Sequence, residues 1–337
     1  MKNKLSYILI AFTLILSACS SLPELTNYPS TKIITGYGPE DMVVDSISGN
    51  IDRLLISCSA RREDDPDSLN GIYAMDLNNE KAYELIRENE ADSLSFHPHG
   101  IDMAFIDGQA YLFVINHNDE KGIQSILRYQ VFADKLVFDS LINDELIISP
   151  NDIFANNDGS FFFSNDAGVR GSKKEIIFGQ KKGSLVFFPA QASPYIIDNH
   201  LGYPNGVYFD GEYLYVSTVT EENLYRYKKT DNGFGEKTLL AEHLKGGDNI
   251  NPYKGGLLIP THPKFFKFIR HSKKSKCKSP SVVYYYHPDF EKAQVIYCDY
   301  GDHINTVSTA LIYGNKLYVS QIFDNFILSN TYQDKQK

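Results

Sequence analysis

Short hydrophobic runs separated by polar turns follow one another along most of the chain. The stretch 204–217, PNGVYFDGEYLYVS, has the pattern of a strand, a tight turn and a second strand. Units of the same kind begin at residues 40, 99, 151, 205, 249 and 308, which gives six repeats with a period of about 54 residues. Further strand candidates lie between these units, so each repeat holds about four short strands.

This repeat predicts an all-β fold, because a period of about 40–50 residues with four strands is typical of propeller blades. We expect a six-bladed β-propeller with four-stranded blades around a central channel, formed by residues 36–330 and followed by a polar tail at 331–337. Closure of the ring also removes exposed sheet edges. A pair of β-sandwiches is the alternative, and the six-fold spacing disfavours it.

The composition is that of a folded protein, since 42% of the 337 residues are hydrophobic and 22% are charged. The 23 tyrosines and 21 phenylalanines favour strands over helices. The formal net charge of −9 argues against nucleic-acid binding, which requires a basic surface. We therefore expect no nucleic-acid partner.

The first residues have the pattern of a lipoprotein signal peptide, predicted over residues 1–18. Two lysines precede an apolar run that is too short to span a bilayer, and the small residues before Cys19 resemble a bacterial lipobox. We expect a lipidated Cys19, a polar tether over residues 19–35, and a domain anchored to a membrane of the bacterial cell envelope. Ser20 after the cysteine favours the outer membrane. An ordinary secretory signal with a chance cysteine is the alternative.

Three further cysteines follow Cys19. Because a cell-envelope location permits disulfides, we expect Cys277 to pair with Cys298, which leaves Cys58 unpaired in an apolar strand. Three free thiols are the alternative. The spacing of Cys and His residues does not indicate zinc.

Polar side chains stand at the start of the repeats, where the inner strands of a propeller bring them to one end of the channel. These positions hold Glu40, His99, Asn151, Asn205 and Asn249, with Asp248 just before the last. Two carboxylates and three amide oxygens form a ligand set that suits Ca²⁺ better than Zn²⁺ or Mg²⁺. The sequence therefore predicts a calcium site. The alternative is that these residues only line a wet channel.

Aspartates follow two of these positions, as Asp41 after Glu40 and Asp152 after Asn151. Neighbouring residues on a strand point in opposite directions, so Asp41 and Asp152 would face a second, deeper metal site. The alternative is that both are surface aspartates.

His99 is the titratable base among the repeat positions, and His117 lies near the far end of the same hairpin. We expect the two rings to hydrogen-bond, so that His117 raises the basicity of His99 and the pair deprotonates water near neutral pH. A structural histidine is the alternative. The chain contains no Gly-x-Ser-x-Gly motif, which disfavours a serine nucleophile.

Seven short motifs occur in the order and approximate spacing of the serum paraoxonases. They are GPED at 38–41, PHGI at 98–101, NH at 116–117, NDI at 151–153, NGV at 205–207, DNI at 248–250 and HP at 262–263. Over about residues 36–330 the chain thus resembles this family of six-bladed propeller arylesterases and lactonases, which hold two calcium ions.

The resemblance implies roles for particular residues. A catalytic calcium would be held by Glu40, Asn151, Asn205, Asp248 and Asn249. A structural calcium would be held by Asp41, Asp152 and the carbonyl of Ile101. His99 and His117 would form a catalytic dyad, and His262 would line the rim of the active site.

Three features depart from the family. The disulfide that joins the chain ends there has no counterpart here, so strand pairing alone must close the propeller. A lipobox also replaces the family's retained apolar N-terminal helix. The loops that shape the family's substrate pocket differ as well, and substrate choice therefore does not transfer.

We hypothesise hydrolysis of a lactone or an aryl ester, with calcium polarising the carbonyl and His99, assisted by His117, acting as general base. We expect an uncharged substrate, because removal of the signal peptide changes the formal charge from −9 to −11, which repels anions at range. Two alternatives stay open. One is a non-catalytic cell-surface propeller with structural calcium that binds a ligand or protein, and the other is a sugar lactonase of the gluconolactonase type.

The segment 264–278 contradicts the acidic balance, because seven lysines and arginines alternate there with apolar residues. The favoured interpretation is a strand followed by a solvated basic hairpin loop. The alternative is a surface that contacts anionic lipid headgroups.

Overall fold

The computed structural model describes residues 21–48, 52–65, 70–118 and 122–334, which form one ring of six antiparallel sheets. The predicted signal peptide at 1–18 and the predicted lipidation site at Cys19 lie outside the described residues. Within the described ranges, no helix is long and apolar enough to cross a membrane.

Each sheet is one blade. The first blade contains β2 (Pro39–Asp45), β3 (Arg53–Cys58), β4 (Gly71–Asp76) and β5 (Lys81–Glu84). The second contains β7 (Pro98–Ile106), β8 (Gln109–Asn118), β9 (Ile123–Val131) and β10 (Lys135–Ile142), with the short β6 (Ile86–Glu88) added in parallel to β10. The third contains β11 (Pro150–Ala155), β12 (Phe161–Asn165), β13 (Gly183–Phe188) and β14 (Tyr195–Leu201).

The fourth blade contains β15 (Pro204–Phe209), β16 (Tyr213–Thr218), β17 (Asn223–Thr230) and β18 (Gly233–Ala241). The fifth contains β19 (Asn251–Tyr253), β20 (Gly256–Thr261), β21 (Ser281–Tyr286) and β22 (Gln294–Asp299). The sixth contains β23 (Val307–Tyr313), β24 (Lys316–Gln321), β25 (Phe326–Thr331) and, from the other end of the chain, β1 (Ser30–Ile34). The predicted six-bladed propeller is confirmed.

The hydrophobic core lies between neighbouring blades. One cluster joins Leu55 and Ile72 of the first blade to Leu112, Val114 and Leu127 of the second, and these five side chains are fully buried. Both faces of these sheets are covered by neighbours, which explains why their strands read as hydrophobic runs with little alternation. The sheets therefore stack around the ring instead of forming one separate core.

Strand β1 closes the ring. It pairs antiparallel with β25, and the register runs from Ser30 opposite Asn330 to Ile34 opposite Phe326. The prediction of a tether over residues 19–35 is therefore wrong for residues 30–34, which form a strand of the sixth blade. The propeller begins at Ser30 instead of residue 36. The physical reason is that residues after 307 supply only three strands of the last blade, so the fourth has to come from the N-terminal side.

The residues before β1 are docked as well. Thr26 exchanges two hydrogen bonds with the backbone of Cys298, and the Tyr300 hydroxyl donates to the carbonyl of Pro23 at 2.8 Å. At the other end of the chain, β25 continues to Thr331 and Tyr332 is buried, so the polar tail starts later than predicted. Residues 335–337 of that tail lie outside the described residues.

The expected disulfide is also wrong. In the part of the chain that the structure describes, Cys58, Cys277 and Cys298 are all free thiols. Cys298 is buried on β22 opposite Val282, whereas Cys277 lies in the loop before β21 begins at Ser281. The two cysteines therefore do not face each other across the ladder.

Among the described residues, two helices interrupt the blades, α1 (Lys173–Ile177) and α2 (Phe265–Lys273). The prediction of a strand and hairpin loop at 264–278 is wrong, because α2 occupies its first part. This helix buries His271 and exposes Phe266, which is 80% accessible. Alternation of basic and apolar residues over so short a segment does not separate a helix from a strand by periodicity alone.

Closure by β1 can be tested with two neighbouring isoleucines. Ile33 is 5% exposed in the core and Ile34 is 63% exposed on the same strand. We expect Ile33→Ala to lower the free energy of unfolding by about 2–4 kcal/mol, and Ile34→Ala to change it by about 0.5 kcal/mol or less. Denaturant unfolding followed by circular dichroism measures both values. Equal, small effects would mean that this segment is a loose tether after all.

Candidate active site

A repeated serine holds the start of four of the six inner strands in place. In four blades a serine on the second strand donates its hydroxyl to a backbone carbonyl of the next blade around the ring. The bonds run from Ser57 to His99 (2.5 Å), from Ser164 to Asn205 (2.6 Å), from Ser217 to Asp248 (2.6 Å) and from Ser320 to Glu40 (2.9 Å). Every acceptor is a predicted site residue, so these bonds fix the backbone on which the site is built.

The blades also approach each other closely at this end of the channel. A Cβ atom on Gly206 would lie 2.5 Å from the carbonyl oxygen of Asp248 and 2.6 Å from the nitrogen of Ile250. Only glycine therefore allows β15 to pass this close to the residues before β19. The backbone contact brings Asn205 and Asp248 to the same end of the channel.

Five buried side-chain oxygens at this end have no hydrogen-bond partner among the described residues. They are Glu40 Oε2, Asn151 Oδ1, Asn205 Oδ1, Asp248 Oδ1 and Asn249 Oδ1. The five residues are at most 5% exposed. These are the five predicted ligands of the first calcium ion.

Hydrogen bonds to the other polar atom hold four of these side chains. Ser308 donates to Glu40 Oε1 (2.8 Å), His262 Nε2 donates to Asp248 Oδ2 (2.6 Å), Asn249 Nδ2 donates to Thr309 (2.8 Å) and Asn151 Nδ2 donates to Asp166 (3.2 Å). Each bond fixes the rotation of the carboxylate or amide and leaves the other oxygen for a ligand. Support of this kind is typical of residues that bind a metal.

These oxygens fit a hard divalent cation. Leaving a buried acceptor unsatisfied costs about 1–3 kcal/mol, and a cation would relieve all five together. Burial raises the pKa of Glu40 to about 8, and the Asp248 and Asp41 carboxylates add to this shift while Arg61 opposes it. The described residues contain no group of three His, Cys, Asp or Glu placed to bind a metal, because three of the five members here are asparagines. Amide and carboxylate oxygens suit Ca²⁺.

The predicted ligands of the second calcium ion differ from the first set, because their carboxylates already accept hydrogen bonds. Asp41 and Asp152 are both 4% exposed, so they are not surface aspartates. Asp41 accepts the N–H of Ile101 at 2.8 Å and Asp152 accepts the N–H of Val207 at 2.7 Å, so each carboxylate joins two neighbouring blades. Burial raises the pKa of Asp41 to about 6, and burial together with Asp41 raises that of Asp152. Two buried acids close together would favour a cation, but no orphaned oxygen marks this site.

The rings of the two histidines are in contact, whereas the predicted hydrogen bond between them stays a prediction. The rings of His99 and His117 are edge to face with centroids 4.8 Å apart. The Gln124 amide oxygen accepts from Nδ1 of His117. Since that oxygen can only accept, it fixes the tautomer of His117 with its proton on Nδ1.

Arg61 is a functional residue that the sequence did not reveal. Its Nη2 lies 3.2 Å from Nδ1 of His99, and His99 Nε2 lies 3.4 Å from Glu40 Oε1. Because a guanidinium only donates, neutral His99 carries its proton on Nε2 in this arrangement. Burial, Arg61 and His117 together lower the pKa of His99 well below its usual value. His99 is therefore neutral at physiological pH.

His262, which the resemblance assigns to the rim of the site, is largely buried. Its side chain is 10% exposed, and its ring packs at 5.1 Å against Phe268 of α2. The bond from His262 to Asp248 thus links the oxygen cluster to this helix.

The sequence analysis also did not identify three residues that hold the oxygen-bearing side chains. Two of them belong to a degenerate copy of the repeat, and the third lies outside the inner strands. Ser308 and Thr309 stand at the start of the sixth repeat, where the hydroxyls hold Glu40, Asp41 and Asn249. Asp166 follows β12. The register of the repeat could have identified the first two, whereas the role of Asp166 depends on contacts across the fold.

A cavity of about 530 Å³ adjoins the site. Its wall includes Gln124, which holds His117, and Asp166, which holds Asn151, together with Arg170 and Tyr203. The cavity wall therefore includes a hydrogen-bond partner of the histidine pair and one of the oxygen cluster, but neither histidine and none of the five oxygen-bearing residues lines it.

Comparisons with known proteins identify the family of the chain. The sequence model of the arylesterase family matches residues 62–330. Serum paraoxonase/arylesterase 1 of Rattus norvegicus is 26% identical over 272 residues, covering 77% of this chain and 76% of the rat protein. Serum paraoxonase/arylesterase 2 of Bos taurus is 26% identical and covers 89% of this chain and 88% of the bovine one. Serum paraoxonase/lactonase 3 of Homo sapiens is 27% identical, with 77% and 76% covered.

Solved structures share the fold at low identity. A luciferin-regenerating enzyme superposes with a TM-score of 0.60 at 12% identity, covering 91% of this chain and 96% of that enzyme. XC5397 of Xanthomonas campestris, described as a gluconolactonase, superposes with a TM-score of 0.59 at 12% identity, covering 93% and 96%. These likenesses support the propeller architecture alone.

The buried acids predict an unusual pH dependence of stability. The pKa values of Glu40 and Asp41 are raised to about 8 and about 6 in the folded protein. The stability that comes from holding their protons is therefore complete below about pH 4 and lost as the pH rises to about 8. For protein freed of divalent cations on a chelating resin, we expect Tm to fall over this range. Excess Ca²⁺ replaces the protons, so its gain in Tm should grow with pH.

Thermal melts at several pH values, with and without Ca²⁺, measure both effects. The matched variant Glu40→Gln removes one titrating group, and we expect it to flatten the fall above about pH 6 and to lose most of the Ca²⁺ gain. A cation-free Tm that rises with pH, or a Ca²⁺ gain equal at every pH, would contradict the assignment.

Proposed function

The chain belongs to the arylesterase family, and on this premise we propose that it is a calcium-dependent hydrolase of lactones and aryl esters. The observation that carries the proposal is the set of five orphaned oxygens beside the two histidines. A wet channel would let water satisfy such atoms, but these residues are almost completely buried. A purely structural ion would not need a paired, neutral imidazole next to it.

Glu40, Asn151, Asn205, Asp248 and Asn249 would hold the catalytic ion. When bound there, calcium supplies a Lewis acid that polarises the substrate carbonyl and stabilises charge on its oxygen. Asp41, Asp152 and the carbonyl of Ile101 would hold a second ion with a structural role. The blade-to-blade bonds of these aspartates support that role.

His99 would take a proton from the attacking water. It is neutral, so it needs no prior deprotonation. In the arrangement described here its lone pair on Nδ1 faces Arg61, and the Nε2–H faces Glu40. Base catalysis at His99 therefore requires the Arg61 contact to open. His117, fixed by Gln124, lies beside the ring and would receive or stabilise the proton.

Two alternatives have their own support. A gluconolactonase-type sugar lactonase would suit the fold shared with XC5397, although 12% identity supports only the architecture. A non-catalytic binding propeller would use the same ion without chemistry. The neutral His99 next to Glu40 favours hydrolysis over simple binding.

The test uses residues 20–337 with phenyl acetate, a panel of γ- and δ-lactones and δ-gluconolactone. We expect hydrolysis of esters or simple lactones that is lost on chelation and restored by Ca²⁺. His99→Gln should lower kcat by about 10²-fold or more, as expected for loss of a general base. The matched control is His200→Gln, because His200 is exposed on β14, outside the site.

The outcomes separate the proposals. Loss of activity on chelation with no effect of His99→Gln would keep the ion and reject the dyad. Activity on δ-gluconolactone alone would favour the sugar lactonase. Absence of all hydrolysis, with Ca²⁺ still raising Tm, would favour the binding propeller.

We also propose that the propeller is anchored to a bacterial membrane through a lipid on Cys19, as the lipobox-like sequence indicates. Thr26 and Pro23 are docked on the propeller, which leaves only a few residues between the anchor and the domain. In a bacterial host, we expect the full chain in the membrane fraction and Cys19→Ala in the soluble fraction. Cys277→Ala is the matched control. An unchanged membrane fraction for Cys19→Ala would overturn the lipid anchor.

A further inference from the structure

Helix α2 lies at the same end of the propeller as the oxygen cluster. It follows β20 in the fifth blade, and its Phe268 packs against His262, which donates to Asp248. Phe268 and the buried His271 also pack against Phe323 of the sixth blade. These contacts hold one side of the helix against the propeller.

The other side of α2 exposes apolar and basic side chains together. Phe265, Phe266 and Ile269 are 44%, 80% and 36% exposed. An exposed apolar stripe flanked by cations is typical of a helix that lies in the interface of an anionic membrane. Five cations of the segment are exposed and form no salt bridge within the described ranges, namely Lys267, Arg270, Lys273, Lys274 and Lys276.

The acidic residues around α2 belong to other segments, because 264–278 contains no Asp or Glu. Asp324 lies 3.9 Å from the buried His271 and pairs with Arg62 at 2.7 Å, so this acid is on the packed side of the helix. Asp302 pairs with Lys278. The other described acids of the neighbouring loops form no salt bridge with α2, namely Glu24, Glu63, Asp64, Asp65, Glu222, Glu242 and Asp299.

The N-terminal segment approaches the same part of the propeller. Strand β22 runs towards the active-site end, because its last residue, Asp299, lies opposite Ser281, the first residue of β21. The N-terminal segment runs antiparallel beside it, so the chain comes closer to the active-site end as it is followed back towards residue 21. Three contacts show this direction in turn: Tyr28 with Ile296, Thr26 with Cys298, and Pro23 with Tyr300.

The loop that holds Pro23 touches the basic segment directly. A Cβ atom on Gly301, next to Tyr300, would lie 2.9 Å from the Cβ of Lys278. Cys19 precedes Pro23 by four residues, and four extended residues reach at most about 14 Å. A lipid on Cys19 would therefore hold this part of the fifth blade close to the membrane.

We propose that α2 binds the surface of an anionic phospholipid bilayer, with its exposed phenylalanines inserted among the headgroups and its lysines and arginines paired with the lipid phosphates. The active-site end of the channel then faces the bilayer. This inference rests in part on the proposed lipid at Cys19, whereas the exposure and charge of α2 are independent of that lipid. Protein without the lipid therefore tests the helix separately.

Vesicle sedimentation with residues 20–337 measures binding without the anchor. We expect this protein to sediment with vesicles that contain phosphatidylglycerol and to stay in solution with vesicles of phosphatidylcholine alone. Added salt should weaken the binding, and the triple variant Lys273→Gln, Lys274→Gln, Lys276→Gln should lower the partition constant about tenfold or more.

The matched control removes three exposed lysines from the opposite end of the propeller, as Lys81→Gln, Lys229→Gln and Lys292→Gln in one protein. It changes the net charge by the same amount, and thermal melts establish that both triple variants fold. We expect the control to bind like the wild type. Equal weakening in the two triple variants would show that total charge decides the binding, which would overturn a role for α2.

Fluorescence locates the contact, because the chain contains no tryptophan and a single one reports its own surroundings. We expect the emission of Phe266→Trp to shift to shorter wavelength with phosphatidylglycerol vesicles. Phe105→Trp is the matched control, since Phe105 is 41% exposed at the opposite end of the second blade. Binding without a shift in Phe266→Trp, equal shifts in both variants, or no binding to anionic vesicles would overturn the inference. None of these results depends on ester hydrolysis or on the lipid at Cys19.

Discussion

Five side-chain oxygens are buried at one end of the channel without a hydrogen-bond donor among the described residues. The other residues of the site hold these five oxygens in position. Each of the six blades contributes to the site. The first, third, fourth and fifth supply the oxygens, the second supplies His99, and the sixth supplies the hydroxyls of Ser308 and Thr309. Such a cluster is stable only when a cation or protons compensate the acids.

A cluster collected from separate blades requires a ring that does not open. Pairing of β1 with β25 closes it, and the two strands join residues from opposite ends of the chain. Serine hydroxyls then tie four of the blades to the next at the level of the site. Since these bonds end on the carbonyls of the site residues themselves, a loss of closure would disturb the ligand geometry as well as the core cluster that contains Ile33.

Charge in this protein has to be considered locally. The acidic total is spread over the surface, whereas the site combines buried carboxylates with Arg61 beside His99 and Arg170 in the adjoining cavity. Burial and Arg61 lower the pKa of the His99 imidazole, and the partners of Arg61 are the carbonyls of Gly38, Ser59 and Ile322. Residues of the first and last blades therefore also position this cation next to the histidine pair.

The sequence alone determined the six-bladed architecture and the location of the oxygen cluster, because a repeat places equivalent residues at equivalent points of a closed ring. It could not determine the origin of the closing strand, since the partner of β1 lies almost a whole chain length away. It assigned neither α2 nor the free thiols, because a short mixed segment has no clear period and cysteine pairing depends on distance. Arg61 and Asp166 gained their roles from contacts between loops, which only the tertiary structure brings together.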